Sequence, residues 1–264
     1  MDQVVVNGLS IAYQRAGSGP ALVLLHGFSL DSRSWQPQIA RLSDRFSVIA
    51  WDAPGAGRSQ DPPETFDIGD WGDSLAGFLD VVGLERAHIV GLSWGGLLAQ
   101  EFYRRYPSRV NSLVLADTYA GWRGSLPAPL PEQRLEAAVN DSRLDAKAFV
   151  GKYLPGMFGD TADTEIQREL GAIMADFHPL GFRLMATALA RADTRDLLPT
   201  IAVPTLLIWG DADKRSPLRV GQTMAEAIPG ARIATIAGAG HLSNLERPSE
   251  FNALVRDFCL PLSR

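Results

Sequence analysis

The stretch Ala87-His88-Ile89-Val90-Gly91-Leu92-Ser93-Trp94-Gly95-Gly96 decides how the rest of the chain is read. Ile89 and Val90 close a short apolar run of the kind that forms a buried strand, and Leu97 to Tyr106 carry a helix-like pattern. Between them Gly91-Leu92-Ser93-Trp94-Gly95 fits Gly-x-Ser-x-Gly, the nucleophile elbow, a sharp strand-to-helix turn that lifts a serine hydroxyl clear of the sheet edge. Such a turn strains the serine backbone and leaves no room beside it. A Cβ at position 91 or 95 is therefore expected to collide with neighbouring chain. The helix start also places positive potential next to the hydroxyl.

Upstream, Gln3–Val6 and Ile11–Arg15 flank Asn7-Gly8 and read as a hairpin with a primed turn. Gly17-Ser18-Gly19-Pro20 breaks the chain before Ala21–Leu25, a continuous apolar run typical of a central parallel strand. Trp35–Leu42 is predicted as a helix, Ser47–Trp51 as a strand, Asp52–Ser59 as a turn-rich loop and Phe66–Val82 as a long helix. Ser112–Ala116 is the sixth predicted strand. The rhythm then changes. After the prolines at 127, 129 and 131, helical patterns run over Glu132–Asn140, Asp145–Tyr153, Thr164–Asp176 and Leu180–Arg191 with no strand among them. Strand and helix alternate again at Thr205–Trp209, Arg219–Ala227, Arg232–Ile236 and Pro248–Phe258. Alternation of this kind implies a mostly parallel sheet covered on both faces. Residues 1–120 and 199–264 are expected to form this α/β core, with 121–198 a helical cap inserted after strand 6, over the strand ends where open α/β sheets bind ligands.

Composition narrows the function classes. With 264 residues and 46% hydrophobic side chains, the chain can bury a large core. A net charge of −5 without a basic run argues against nucleic acid or anionic membrane as partner. The lone cysteine, Cys259, permits no intrachain disulfide and reads as a buried small hydrophobe. No apolar run approaches the length of a membrane span, and the opening residues lack a signal-peptide pattern. A cytoplasmic monomer or homodimer acting on a small molecule, without metal or organic cofactor, is the expectation.

A serine nucleophile needs a base in hydrogen-bond reach, and the base needs an orienting acid. There are four histidines. His88 lies inside the elbow strand and reads as structural, and His178 sits beside Pro179 in the cap region. His26 ends the third strand, where an oxyanion loop would begin. His241 follows the last strand in Ala239-Gly240-His241-Leu242 and fits the chain order Ser…Asp…His. Gly210-Asp211-Ala212-Asp213 leaves the preceding strand and supplies the acid; Asp213 is preferred, Asp211 reads as a turn residue, and Asp117 at the end of strand 6 is the rival. The oxyanion of an acyl-transfer intermediate requires two N–H donors. Trp94, next after the nucleophile, offers one, and the Gly27-Phe28 turn offers the other.

His26-Gly27-Phe28, Asp52-Ala53-Pro54-Gly55-Ala56-Gly57-Arg58-Ser59, Gly91–Gly96, Gly210–Asp213 and Gly240-His241 together resemble the α/β-hydrolase superfamily over the whole chain outside the cap. The resemblance implies an eight-stranded, mostly parallel sheet, with Ser93 as nucleophile, Asp213 as acid, His241 as base and oxyanion amides at Phe28 and Trp94. Leu113–Thr118 and Gly240–Glu246, with the elbow, look most like the 3-oxoadipate enol-lactonase group. Epoxide hydrolases and haloalkane dehalogenases carry aspartate where this chain has Ser93. Carbon–carbon hydrolases share the triad but have small residues where Phe28-Ser29-Leu30-Asp31 stands here.

An ester or lactone hydrolase is thus expected. Carbon–carbon cleavage or perhydrolysis on the same triad, and a small-molecule receptor with residual turnover, are the alternatives. The pocket is sought among His26, Gly27, Trp122, Phe158, Phe182, Met185 and Leu242, each of which also fits plain core packing. Arg123, Arg183 and Arg191 are candidates to pair with a substrate carboxylate. Arg58 is expected to tie down carbonyls of the Asp52–Ser59 loop.

Overall fold

The computed structural model describes residues 1–160 and 162–263. Strands β1 (Asp2–Val6) and β2 (Leu9–Ala16) form the predicted hairpin. Asn7 and Gly8 turn it with φ of 51° and 84°, the paired positive values of a type I′ turn. β3 (Ala21–Leu25) follows, then a 3-10 turn at Ser32–Trp35 leading into α1 (Gln36–Leu42) and β4 (Ser47–Trp51). Helix α2 (Ile68–Val81) starts later than the predicted Phe66 because Asp67 closes a capping box. The Asp67 carboxylate accepts the Gly69 and Asp70 N–H groups, and the Asp70 carboxylate accepts the Asp67 N–H.

The elbow follows as β5 (Ala87–Leu92) and α3 (Trp94–Arg105), then β6 (Val110–Ala116). Before the next strand come α4 (Trp122–Ser125), α5 (Leu130–Asp141), α6 (Ala146–Tyr153), α7 (Thr164–Ala175) and α8 (Pro179–Arg191). The chain ends through β7 (Thr205–Gly210), α9 (Leu218–Ala227), β8 (Arg232–Ile236), α10 (Ser243–Glu246) and α11 (Pro248–Cys259). The four-residue helices α4 and α10 are too short to show a period, and the sequence reading has neither.

The eight strands make one sheet in the order β1-β2-β4-β3-β5-β6-β7-β8. The first two are antiparallel to their neighbours and the rest are parallel. From β3 the chain steps outward to β4, then returns to lay β5 on the other side of β3. Right-handed crossovers in opposite directions send α1 to one face and α2 to the other. There α1 packs with α11, and α2 with α3. The reversal opens a crevice at the carboxyl ends of β3 and β5, the place where such sheets hold ligands. Gly27-Phe28 leaves one of these ends and Ser93 leaves the other.

Covered on both faces, Leu22–Leu25, Val48–Trp51, Ile89 and Val90 are fully buried, each leucine, isoleucine or valine side chain contributing about 1.5–3 kcal/mol. In the inserted block α5 packs on α8 and α6 on α7. These helices are tied to the turn before α1 through Arg33–Asp176 (2.8 Å), and to the loop after β4 through His178, which bonds Asp61 (2.6 Å) and the Gly57 carbonyl (3.0 Å). The Asp52–Ser59 loop is held by a carboxylate rather than by Arg58, whose side chain is exposed. Asp52 accepts the N–H groups of Ser32 (2.8 Å) and Arg58 (2.9 Å), and Ser59 Oγ donates to the Asp52 carbonyl (2.6 Å). Cys259 is buried. Among the described residues no helix is long and apolar enough to cross a membrane.

Candidate active site

Ser93 caps α3 at φ 53°, ψ −115°, the strained conformation the elbow demands. Its N–H donates to the Ala116 carbonyl (2.8 Å) and its own carbonyl accepts from Thr118 Oγ1, so the turn is gripped from the adjoining β6 end. A Cβ at Gly91 would overlap the Gly95 carbonyl, and one at Gly95 the Leu25 carbonyl. Both glycines are therefore steric requirements of the elbow.

His241 lies in the loop after β8, with Nε2 2.9 Å from Ser93 Oγ and Nδ1 2.8 Å from Asp213 Oδ2. Asp213 Oδ1 accepts the N–H groups of Arg215 (2.7 Å) and Ser216 (2.9 Å), which fixes the carboxylate plane. With Nδ1–H donating to Asp213 Oδ2, Nε2 is left to accept the hydrogen bond of the Ser93 hydroxyl. All three residues are only 5% exposed. The N–H groups of Phe28 and Trp94 find no acceptor among the described residues.

The rival acid, Asp117, is placed elsewhere. At φ 47° it turns toward β7 and α10, accepting the Gly210 N–H (2.8 Å) and the Ser243 hydroxyl (2.5 Å), and it makes no hydrogen bond to His241 among the described residues. Burial, and beyond it the charge of Asp213, holds its carboxyl well above the ordinary range. Asp211 accepts the Gly238 N–H (2.7 Å), bracing the loop before His241 instead of its own backbone.

Ser93 and His241 open onto a cavity of about 230 Å³. Its apolar lining comes from Phe28, Leu30, Trp122, Met157, Leu189 and Leu242. The lining also carries polar side chains, those of Tyr119, Arg134, Asp141, Lys152, Tyr153 and Arg215. Asp141 is satisfied by Lys152 (2.7 Å) and Tyr153 (2.9 Å). The two arginines have no carboxylate partner among the described residues. Arg134 bonds the Tyr119 hydroxyl (3.2 Å) and the Arg215 carbonyl (3.2 Å) and lies 5.5 Å over the Trp122 ring. Arg215 donates to the Tyr153 carbonyl (2.7 Å), and its buried Nε–H finds no acceptor among the described residues. Burial, together with the like charge of Arg134, holds its pKa below the usual value. Among the described residues no group of three or more His, Cys, Asp or Glu is placed to hold a metal ion.

A family model described as alpha/beta hydrolase fold matches residues 20–248. The chain belongs to the α/β-hydrolase fold family. It is 30% identical to 3-oxoadipate enol-lactonase 1 of Acinetobacter baylyi over 257 residues, covering 95% of this chain and 92% of that one. Among solved structures it is similar to a thermophilic esterase from Thermogutta terrifontis with malate bound (TM-score 0.93, 29% identity, all of both chains). It is also similar to the enol-lactonase from Burkholderia xenovorans LB400 (TM-score 0.90, 29% identity, 98% of this chain and 100% of that one).

The α/β-hydrolase core is where the sequence reading is most faithful; the pocket is where it departs. Gly27, Trp122 and Leu242 line the cavity, whereas His26, Phe158, Phe182 and Met185 do not. His26 is fully buried and stacks on Trp94. Its Nε2 accepts the Ala53 N–H (3.0 Å) and Nδ1 faces the Gly27 carbonyl (2.9 Å), so burial keeps it neutral and structural. Trp94 itself points into the core against Trp71. Phe182 stacks behind Phe28 (4.3 Å) and with Met185 faces a separate crevice at Gly55–Gly57. Of the α8 stripe Phe182, Met185, Leu189, only Leu189 reaches the cavity. The Phe158 backbone lies against Gly240. Arg123 and Arg191 are exposed and Arg183 approaches Glu64 (3.6 Å), all outside the cavity. The cationic lining residues missed are Arg134, Lys152 and Arg215. Arg134, Ala137, Ala138 and Asp141 follow a helical stripe on α5, a signal present in the sequence but with no indication of which way it faces.

Proposed function

We propose that this chain is a serine hydrolase that cleaves a carboxylic ester or lactone carrying an anionic group. The observation that carries the reading is the unbroken line Ser93–His241–Asp213, whose first two members line the cavity, with two amides that find no acceptor among the described residues. Ser93 Oγ attacks the carbonyl carbon as its proton passes to His241 Nε2, and Asp213 stabilises the imidazolium. The oxyanion accepts hydrogen bonds from the Phe28 and Trp94 amides, each worth about 3 kcal/mol in the transition state. As the tetrahedral species collapses, the C–O bond breaks and the leaving oxygen takes the Nε2 proton. Water, deprotonated by the same nitrogen, then attacks the acyl-enzyme and releases the acid and Ser93.

Arg134 and Arg215 support the anionic part of the reading. Two guanidinium groups in the lining of a small cavity, without a carboxylate partner among the described residues, are costly to leave unmatched, and a substrate carboxylate relieves that cost. A relative named for a lactone of 3-oxoadipate and a similar esterase with malate bound fit the same chemistry.

The test is hydrolysis of 4-nitrophenyl esters from acetate to decanoate, with a panel of small lactones, by wild type and Ser93→Ala. Turnover confined to short acyl chains and lost in the variant is expected. Turnover that survives the substitution would remove Ser93 from the mechanism.

A further inference from the structure

Glu246 closes α10, five residues beyond His241, and is 6% exposed. Its Oε1 accepts the N–H of Gly240 (2.7 Å), the residue immediately before the catalytic-site histidine. Its Oε2 accepts the N–H of Gly159 (2.8 Å), in the segment between α6 and α7. One carboxylate therefore joins the inserted helical block to the loop that presents His241.

The backbones at this junction are in direct contact. A Cβ at Gly240 would run into the backbone of Phe158 and Gly159, and a Cβ at Gly159 into the Gly238 carbonyl. Neighbouring Met157 lines the cavity. Burial pushes the Glu246 carboxyl above its usual range, while its two amide bonds favour the ionised form. Accepting two N–H groups with two oxygens needs a carboxylate: an amide offers one acceptor and turns an NH₂ toward the second donor.

Asp213 fixes the His241 ring from the Nδ1 side, but it does not fix where the backbone carrying the ring sits. We infer that Glu246 is a positioning residue, whose carboxylate locks the His241 loop to the Met157–Gly159 segment so that base alignment and closure of the cavity wall are one state. The inference rests on the serine-hydrolase reading for its kinetic consequence but not for the clasp itself. A base displaced by about 1 Å costs roughly a hundredfold in rate, so the loss falls on kcat.

The experiment compares wild type, Glu246→Gln and Glu246→Ala by 4-nitrophenyl acetate kinetics, thermal unfolding and amide hydrogen exchange. Glu246→Gln, nearly isosteric, guards against a variant that fails to fold. We expect kcat to fall about 10–100-fold with KM unchanged and Tm within about 3 °C. We also expect the Gly159 and Gly240 amides to lose protection together. A kcat per folded molecule equal to wild type would overturn the positioning role, and loss of protection at one glycine only would overturn the clasp. If wild type shows no Ser93-dependent turnover, the hydrolase reading has failed, and the exchange result alone decides the clasp.

Discussion

Ser93 holds a backbone conformation that side-chain-bearing residues avoid, at a cost of about 1–3 kcal/mol, and its hydrogen bonds to the Ala116 carbonyl and from the Thr118 hydroxyl retain it there. Its partners differ in what each supplies, which makes their removal distinguishable. Asp213→Asn keeps the shape but favours the wrong imidazole tautomer, and kcat is expected to fall about 10⁴-fold on the best ester. Asp117→Asn, at the rival position, leaves the His241 bonds intact. Its kcat should stay within about tenfold while Tm changes, because the Gly210 and Ser243 donors lose part of their acceptor. Equal losses in the two variants would show that the acids share the role. Ser93 and His241 were legible because the elbow spacing and a choice of four histidines leave few options. Arg215 was not, since nothing two residues beyond Asp213 marks a guanidinium as facing inward.

At the scale of elements, the elbow is the junction with least tolerance. Gly95→Ala drives a methyl group into the Leu25 carbonyl, and overpacking of this kind costs about 1–3 kcal/mol, read as a fall in denaturation midpoint with loss of activity. Strand β5 also carries His88, whose ring meets Ser112 Oγ on β6 (2.7 Å) and Ser263 Oγ (2.9 Å). Burial lowers its pKa from 6.5 to about 4. The unfolded chain takes up this proton below pH 6.5 and the native state does so only below about pH 4, so stability is lost as pH falls through that window. The contribution approaches about 3 kcal/mol. Asp117, with its raised carboxyl pKa, acts with the opposite sign, losing stability as pH rises through its folded pKa. The check is therefore the difference between wild type and His88→Gln, whose unfolding free energy should be flatter from pH 6.5 to 4; parallel curves would contradict it. Helix α3 was readable from its apolar spacing and β3 from its unbroken apolar run. Helices α4 and α10, a single turn each, are made by packing and leave no such trace.

Across the whole molecule, strand order decides where chemistry can occur, since the reversal at β3 and β5 brings Phe28 beside Ser93 while residues from β7 and β8 close over them. The alternation of strands and helices made that arrangement readable in outline. The orientation of the inserted helices was not readable, because an amphipathic stripe states a period and not a neighbour. Arg134 tests the polar lining of the cavity. Arg134→Gln should raise KM for a 4-nitrophenyl hemisuccinate about 10–100-fold and leave the butyrate ester within about threefold. An equal change for both esters would mean that the arginine shapes the wall and does not read charge. The measurement closest to the central claim is covalent capture. An alkyl 4-nitrophenyl phosphonate is added to wild type and Ser93→Ala, with intact mass, peptide mapping and ester turnover followed together. The account predicts one adduct per chain, on Ser93, with turnover lost in proportion and no adduct in the variant. Turnover that persists in fully labelled protein, or an adduct on another residue with the same loss of activity, would contradict it.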